Sequence, residues 1–259
     1  EAELEKEFIR LLKDLGYEYL TIHKEKDLID NLRIQLEKLN DYRFSDDEWN
    51  RFFHEVLANS KDGIAEKTRL IQEDHVQVLR RDNGESKNIT LIDKKNIHNN
   101  TLQVINQYAV SADEGAAHNN RYDVTILVNG LPLIHIELKR RGVPIREAFN
   151  HIELKKRGNA IREAFNQINR YQRDSFWAAS GLYEYVQIFV ISNGTNTKYY
   201  SNTTRFNHIK DANSHKAKKE KTSHSFEFTS FWADANNRII PDLVDFTKTF
   251  FCKHTILNI

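Results

Sequence analysis

The chain has 259 residues, 39% hydrophobic and 29% charged, a composition that suits a folded globular protein and excludes disordered and collagen-like classes. Its 38 Lys and Arg nearly balance 37 Asp and Glu, so the net charge of +1 does not of itself favour an acidic or a basic partner. No apolar run approaches the ~20 residues of a membrane span, and no Cys/His cluster offers a structural zinc site; the lone Cys252 excludes an internal disulfide, so a cytoplasmic protein without a membrane partner is expected.

The opening residues EAELEKEFIR are charged and lack a signal-peptide pattern. Leu4, Phe8, Leu11, Leu12 and Leu15 recur at helical spacing, with Gly16 as a stop. Leu28, Leu32, Leu36 and Leu39 predict a second helix. Ser45-Asp46-Asp47-Glu48 reads as a capping box opening a third, with Trp49, Phe52, Phe53 and Val56 turned inward. Strands are predicted at 75–79, 89–92 and 102–110, with Asn83-Gly84 between the first two and a polar loop over 111–120. An apolar stretch, DVTILVNGLPLIHIELKRRG, runs from Asp123 to Gly142. A helical region reaches to about 173, and a strand follows at 186–192. Asn193-Gly194 turns the chain towards KYYS. Residues 205–224 form a basic low-complexity loop; a strand around SFEF and a helix from about 241 close the chain. The absence of Met and the apolar ending DFTKTFFCKHTILNI lead to the expectation of a piece of a longer protein.

One block occurs twice in tandem. HIELKRRGVPIREAFN (135–150) runs directly into HIELKKRGNAIREAFN (151–166), with thirteen of sixteen positions identical. Two copies do not make a solenoid, which needs three or more repeats. Charge is concentrated here too: residues 121–173 hold eleven Lys and Arg against five Asp and Glu. A basic segment in an otherwise acidic chain fits a phosphate-binding face, with a solvated surface as the plainer alternative.

Asn129-Gly130 between apolar runs signals a hairpin. A three-residue loop, Asn129-Gly130-Leu131, puts Val124, Ile126 and Val128 on one face with Pro132, Ile134, Ile136 and Leu138. The other face then carries Asp123, Thr125, Leu127, Leu133, His135, Glu137 and Lys139, with Asp123 opposite Glu137 at ~5 Å between side-chain bases. Two carboxylates that close need a proton or a cation between them, and Mg²⁺ takes one or two carboxylates plus water and phosphate. A lysine alongside can stabilise phosphoryl-transfer charge. A surface strand of ordinary charges is the competing account. Glu137 and Lys139 have a hairpin partner strand, whereas Glu153 and Lys155 have none, so the first copy is taken as the chemical one. The second is a helix extension or a looped-out insert. His135 receives no role. Gln167 and Tyr171 share a helix face with Ala160 and Ala164, beside a core stripe of Ile161, Phe165 and Ile168; an ordinary helix edge explains them equally well.

Together, RYDVTILVNGLPLIHIELKRRG and IREAFNQINRYQ, flanked by LIDKKN and VQIFVISNGT, resemble the PD-(D/E)xK nuclease superfamily. More narrowly, they are similar to the amino-terminal endonuclease domain of the motor (HsdR) subunit of type I restriction enzymes. The resemblance covers nearly the whole chain. It implies an α/β restriction-endonuclease-like fold with a central mixed sheet flanked by helices, organised as helical residues 1–70, a nuclease core 71–204, the loop 205–224 and a terminal strand and helix 225–259 leading to a motor outside this chain. It implies that Asp123 and Glu137 ligate Mg²⁺, that Lys139 assists the attacking water, and that Gln167 and Tyr171 support the site or contact DNA. Glu7 would be an acid contributed by the first helix. The implied substrate is double-stranded DNA; the implied partners are methyltransferase and specificity subunits. ATP would serve only the motor, since no GxxxxGK[ST] occurs here. The family pattern holds one copy of the block, and no single copy here keeps both the Asp–Glu and the Glu–Gln spacings. Two alternatives therefore stand: a catalytically inactive DNA-binding or docking domain, and another nuclease of the superfamily.

Overall fold

The computed structural model describes residues 2–139, 151–205, 207 and 228–258, with backbone only for 151–160 and 162. The first predicted helix forms as α1 (Ala2–Asp14), burying Leu4, Phe8 and Leu12. The second, α2 (Glu25–Asn40), buries Leu28, Leu32 and Leu36. The capping box closes in both directions: Ser45 Oγ accepts from the Glu48 N–H, and Glu48 Oε2 accepts from the Ser45 N–H, each at 3.1 Å. It opens α3 (Asp46–Phe52), which runs into one wider turn over Phe53–Leu57. After α4 (Ile64–Gln72), strands β2 (Val76–Arg80) and β3 (Ser86–Thr90) form a separate hairpin. The second of these begins three residues before the predicted span and ends before Leu91.

The main sheet has six strands in the order β1–β4–β5–β6–β7–β8. These are β1 (Glu18–Tyr19), β4 (Leu102–Val110), β5 (Asn120–Val128), β6 (Leu131–Leu138), β7 (Ile188–Ser192) and β8 (Thr197–Ser201). Pairs β1/β4 and β6/β7 are parallel and the rest antiparallel, so the sheet is mixed. Helix α5 (His151–Asp174) precedes β7, and α6 (Leu243–Phe250) and α7 (Lys253–Ile256) end the chain. Alternation along β8 shows how the layers stack. Tyr200 packs on Phe165 of α5, whereas its neighbour Tyr199 meets Phe246 and Phe250 of α6. Helices therefore cover both faces, and α1 joins α6 through Phe8 against Phe251. This is an α/β fold of the restriction-endonuclease-like type. Among the described residues no helix is long and apolar enough to cross a membrane. The predicted strand at SFEF and the basic loop fall mostly outside the described residues.

The hairpin corrects one expectation. Its loop has two residues rather than three: Val128 pairs with Leu131, and Asn129 and Gly130 take φ of 50° and 84°. Positive φ at both positions matches the strands' right-handed twist. The register then slips by one residue, because Leu127 pairs with Pro132 but Ile126 with Ile134, leaving Leu133 as the extra residue of a bulge. Beyond the bulge Val124 pairs with Ile136, and the next step of that register sets Asp123 across from Glu137. The bulge does what the longer loop was expected to do. The tip itself is fixed by Asn129, whose Nδ2 donates to the Leu91 carbonyl at 2.9 Å and to Asn100 Oδ1 at 2.8 Å. A methyl group on Gly130 would come within 2.6 Å of Leu32 Cα, so α2 lies directly on the turn.

Candidate active site

Three of the expected residues stand at the open end of the β5/β6 hairpin. Asp123 and Glu137 are buried, and the Lys139 side chain is 14% exposed. Lys139 Nζ donates to Glu137 Oε1 at 2.9 Å. Asp123 Oδ2 accepts the Leu138 backbone N–H at 2.8 Å, which ties the aspartate to the strand carrying the glutamate. Burial, and then the charge of Glu137, pushes the Asp123 carboxyl up to about 7, against the Leu138 N–H, Lys139 and His135, which act the other way.

Helix α5 brings the remaining pair. Gln167 Nε2 donates to the Tyr171 hydroxyl, which donates in turn to the Arg121 carbonyl at 2.8 Å. Arg121 lies on β5 two residues before Asp123, so the Gln–Tyr relay pins the helix to the aspartate's strand. Burial, then the charge of Glu137, raises the Tyr171 hydroxyl well above its ordinary range, so it remains a hydrogen-bond donor. Glu7 is half-buried on α1. Glu5 of the same helix reaches the sheet, its oxygens accepting from Asn106 Nδ2 at 2.5 Å and Gln107 Nε2 at 2.6 Å.

The two copies of the repeated block adopt different backbones. HIEL at 135–138 is strand β6, while HIEL at 151–154 is the first turn of α5. The site thus draws its Glu-x-Lys from the first copy and its Gln-x-x-x-Tyr helix from the continuation of the second. Twelve residues, 139–150, separate the end of β6 from the start of α5. The helix half of the first copy lies outside the described residues.

His135, given no role above, belongs to this neighbourhood. Its ring is buried, with Nε2 3.6 Å from Glu137 Oε2. Tyr122, Tyr171 and Phe176 enclose it edge-on, with centroids at 5.5, 5.9 and 5.8 Å. The signal available in the sequence was its period of two with Glu137 on the same strand face.

The donor set fits a hard divalent cation. It offers two carboxylates, and burial, then the charge of Glu137, holds a proton on Asp123 to about pH 7 in the absence of a cation. Among the described residues no group of three or more His, Cys, Asp or Glu side chains is placed to hold a metal ion. Two carboxylates completed by water and a phosphate is a Mg²⁺-like pattern, unlike the closed nitrogen and sulfur cages of structural zinc.

Comparison with known proteins gives the family. The family described as "Type I restriction enzyme R protein N terminus" matches residues 1–152 and 151–208. The chain belongs to this family. The two matched segments meet where the first copy of the block gives way to the second, as expected of a type I R-protein N terminus carrying one extra copy. The "Type I restriction enzyme EcoprrI endonuclease subunit" of Escherichia coli is 46% identical over 260 residues, covering 100% of this chain and 72% of the relative. The "Type I restriction enzyme SsaAORF53P endonuclease subunit" of Staphylococcus saprophyticus is 37% identical over 255 residues, covering 96% of this chain and 23% of the relative. A Staphylococcus aureus endonuclease subunit is 35% identical with the same coverage.

Proposed function

We propose that this chain is the DNA-cutting domain of a type I restriction enzyme R subunit, hydrolysing phosphodiesters of double-stranded DNA with Mg²⁺. The observation that carries the reading is the buried Asp123–Glu137 pair with Lys139 alongside, on the hairpin of a fold belonging to this family. Mg²⁺, when bound, supplies Lewis-acid polarisation of the phosphate and a more acidic water. Asp123 and Glu137 would hold it, and their buried setting would give the charge contact more weight than it would have in water. Lys139 stays beside Glu137 and presents a fixed ammonium to the attacking water and to the charge developing on phosphate. Gln167 and Tyr171 keep α5 docked on β5, so that Asp123 keeps its position relative to Glu137.

The family membership and the relatives' names, which print an endonuclease subunit, support a place in a multisubunit complex; its methyltransferase and specificity subunits, which would choose the DNA, and its cytoplasmic setting belong to this proposal. The ATP-driven motor would lie in the part of such a polypeptide beyond this domain. The cutting module of this proposal spans residues 1–259. A supercoiled-plasmid assay tests the reading. Mg²⁺-dependent nicking is expected from the wild-type chain and from Glu153→Ala, and its loss from Asp123→Ala and Glu137→Ala. Metal-dependent nicking that survives Asp123→Ala would overturn it.

A further inference from the structure

His135 is a polar ring in a place where an apolar one would fit. It is fully buried between Tyr122, Tyr171 and Phe176, and neither ring nitrogen has a hydrogen bond of good geometry. A buried polar group left in that condition costs stability, and a phenylalanine would fill the same aromatic surroundings without that cost. Something other than packing must account for a histidine here. The ring cannot turn freely, because three aromatic edges bound it, and its Nε2 stands 3.6 Å from Glu137 Oε2. That is a few tenths of an ångström beyond hydrogen-bond reach. The other oxygen of the same carboxylate is held by Lys139 at 2.9 Å. Glu137 is therefore flanked on both oxygens, by an ammonium at the rim and by an imidazole at the base of the site.

We infer that His135 is a positioning residue for Glu137: its Nε2–H takes Glu137 Oε2 and fixes the carboxylate plane when a divalent cation is bound. The inference rests on the metal-binding reading of Asp123 and Glu137. Partners that orient a ligating group, without touching the metal themselves, commonly govern affinity by about 10- to 100-fold. A closure of a few tenths of an ångström between strand neighbours two residues apart needs no change of fold. It also gives the buried ring a side-chain partner, beside the Val124 backbone that already lies near it.

The test uses the 259-residue chain, Mn²⁺ as the probe, electron paramagnetic resonance for binding and thermal melting in EDTA for stability. His135→Phe is expected to weaken Mn²⁺ binding by about 10-fold or more while leaving the metal-free melting temperature unchanged or raised. His135→Gln, whose amide can donate towards Glu137, is expected to recover part of the affinity. A purely structural histidine gives the opposite pattern, a lower melting temperature with unchanged Mn²⁺ affinity, and that result overturns the inference. Should His135→Phe fail to fold, unchanged Mn²⁺ affinity in folded His135→Gln overturns it equally. Failure of the underlying reading looks different: Asp123→Ala would then bind Mn²⁺ as the wild type does.

Discussion

Without a divalent cation, the folded chain is expected to lose stability as pH rises from about 4 to about 7, and Asp123→Asn is expected to remove that loss. The Asp123 carboxyl is held at about 7 by burial and by Glu137, against Leu138 N–H, Lys139 and His135; Tyr171 faces the same group. In the unfolded chain the same carboxyl titrates near its ordinary value of about 3.9. The native state therefore keeps a proton that the unfolded state has already released. Stability from this group is complete below pH ~4, falls as pH rises, and levels off above the folded value. Roughly three pH units at 1.36 kcal/mol each give about 4 kcal/mol across the window. Asparagine has nearly the same shape, stays neutral and can still accept the Leu138 N–H. Urea unfolding in EDTA, followed by tryptophan fluorescence from pH 4 to 8, measures both proteins, and their difference cancels titrations elsewhere. A wild-type-minus-variant difference that stays flat to within about 1 kcal/mol would refute the reasoning. Adding Mg²⁺ at pH 8 is expected to restore the wild type and leave Asp123→Asn unchanged.

Deleting residues 139–154 joins strand HIEL to KKRGNAIREAFN and removes one copy of the repeat. Because the site uses the strand of one copy and the helix after the other, this variant is expected to fold with a melting temperature close to wild type and to nick plasmid with Mg²⁺. An unfolded product, by circular dichroism, would contradict the division of labour between the copies. Gly130→Ala meets both a φ of +84° and a 2.6 Å approach to the Leu32 backbone. It is expected to destabilise by more than about 2 kcal/mol in urea unfolding. Tyr171→Phe leaves the Arg121 carbonyl without its 2.8 Å donor. A loss of about 1–3 kcal/mol and slower nicking are expected, and full activity would remove Tyr171 from the site.

Much of the fold was written in local patterns. The Leu/Phe spacing of α1 and α2, the Ser45–Glu48 capping box and the Asn129-Gly130 turn each depend on residues within a few positions of one another. Strand β4 appeared over the span predicted for it, Leu102–Val110. What stayed hidden depended on partners distant in sequence. Two residues, Glu18 and Tyr19, become β1 only because β4 offers them a parallel edge. The slip at Leu133 has no signal of its own, since Leu127, Pro132 and Leu133 suit either register. The repeated HIEL shows the limit most directly: the same four residues form a strand beside β5 and β7 and a helix beside IREAFN. The carboxylates and lysine were legible because a period of two gathers them on one face. The aromatic enclosure of His135 was not, because Tyr122, Tyr171 and Phe176 come from a strand, a helix and the turn after it.

The account stands on where a cation binds. A crystal of the chain soaked in Mn²⁺ and measured for anomalous scattering locates it without reference to activity. A peak between the carboxylates of Asp123 and Glu137, absent from Asp123→Ala crystals, is the result predicted here. A peak at Glu153, or carboxyl groups of residues 123 and 137 facing away from one another with no peak between them, would contradict it.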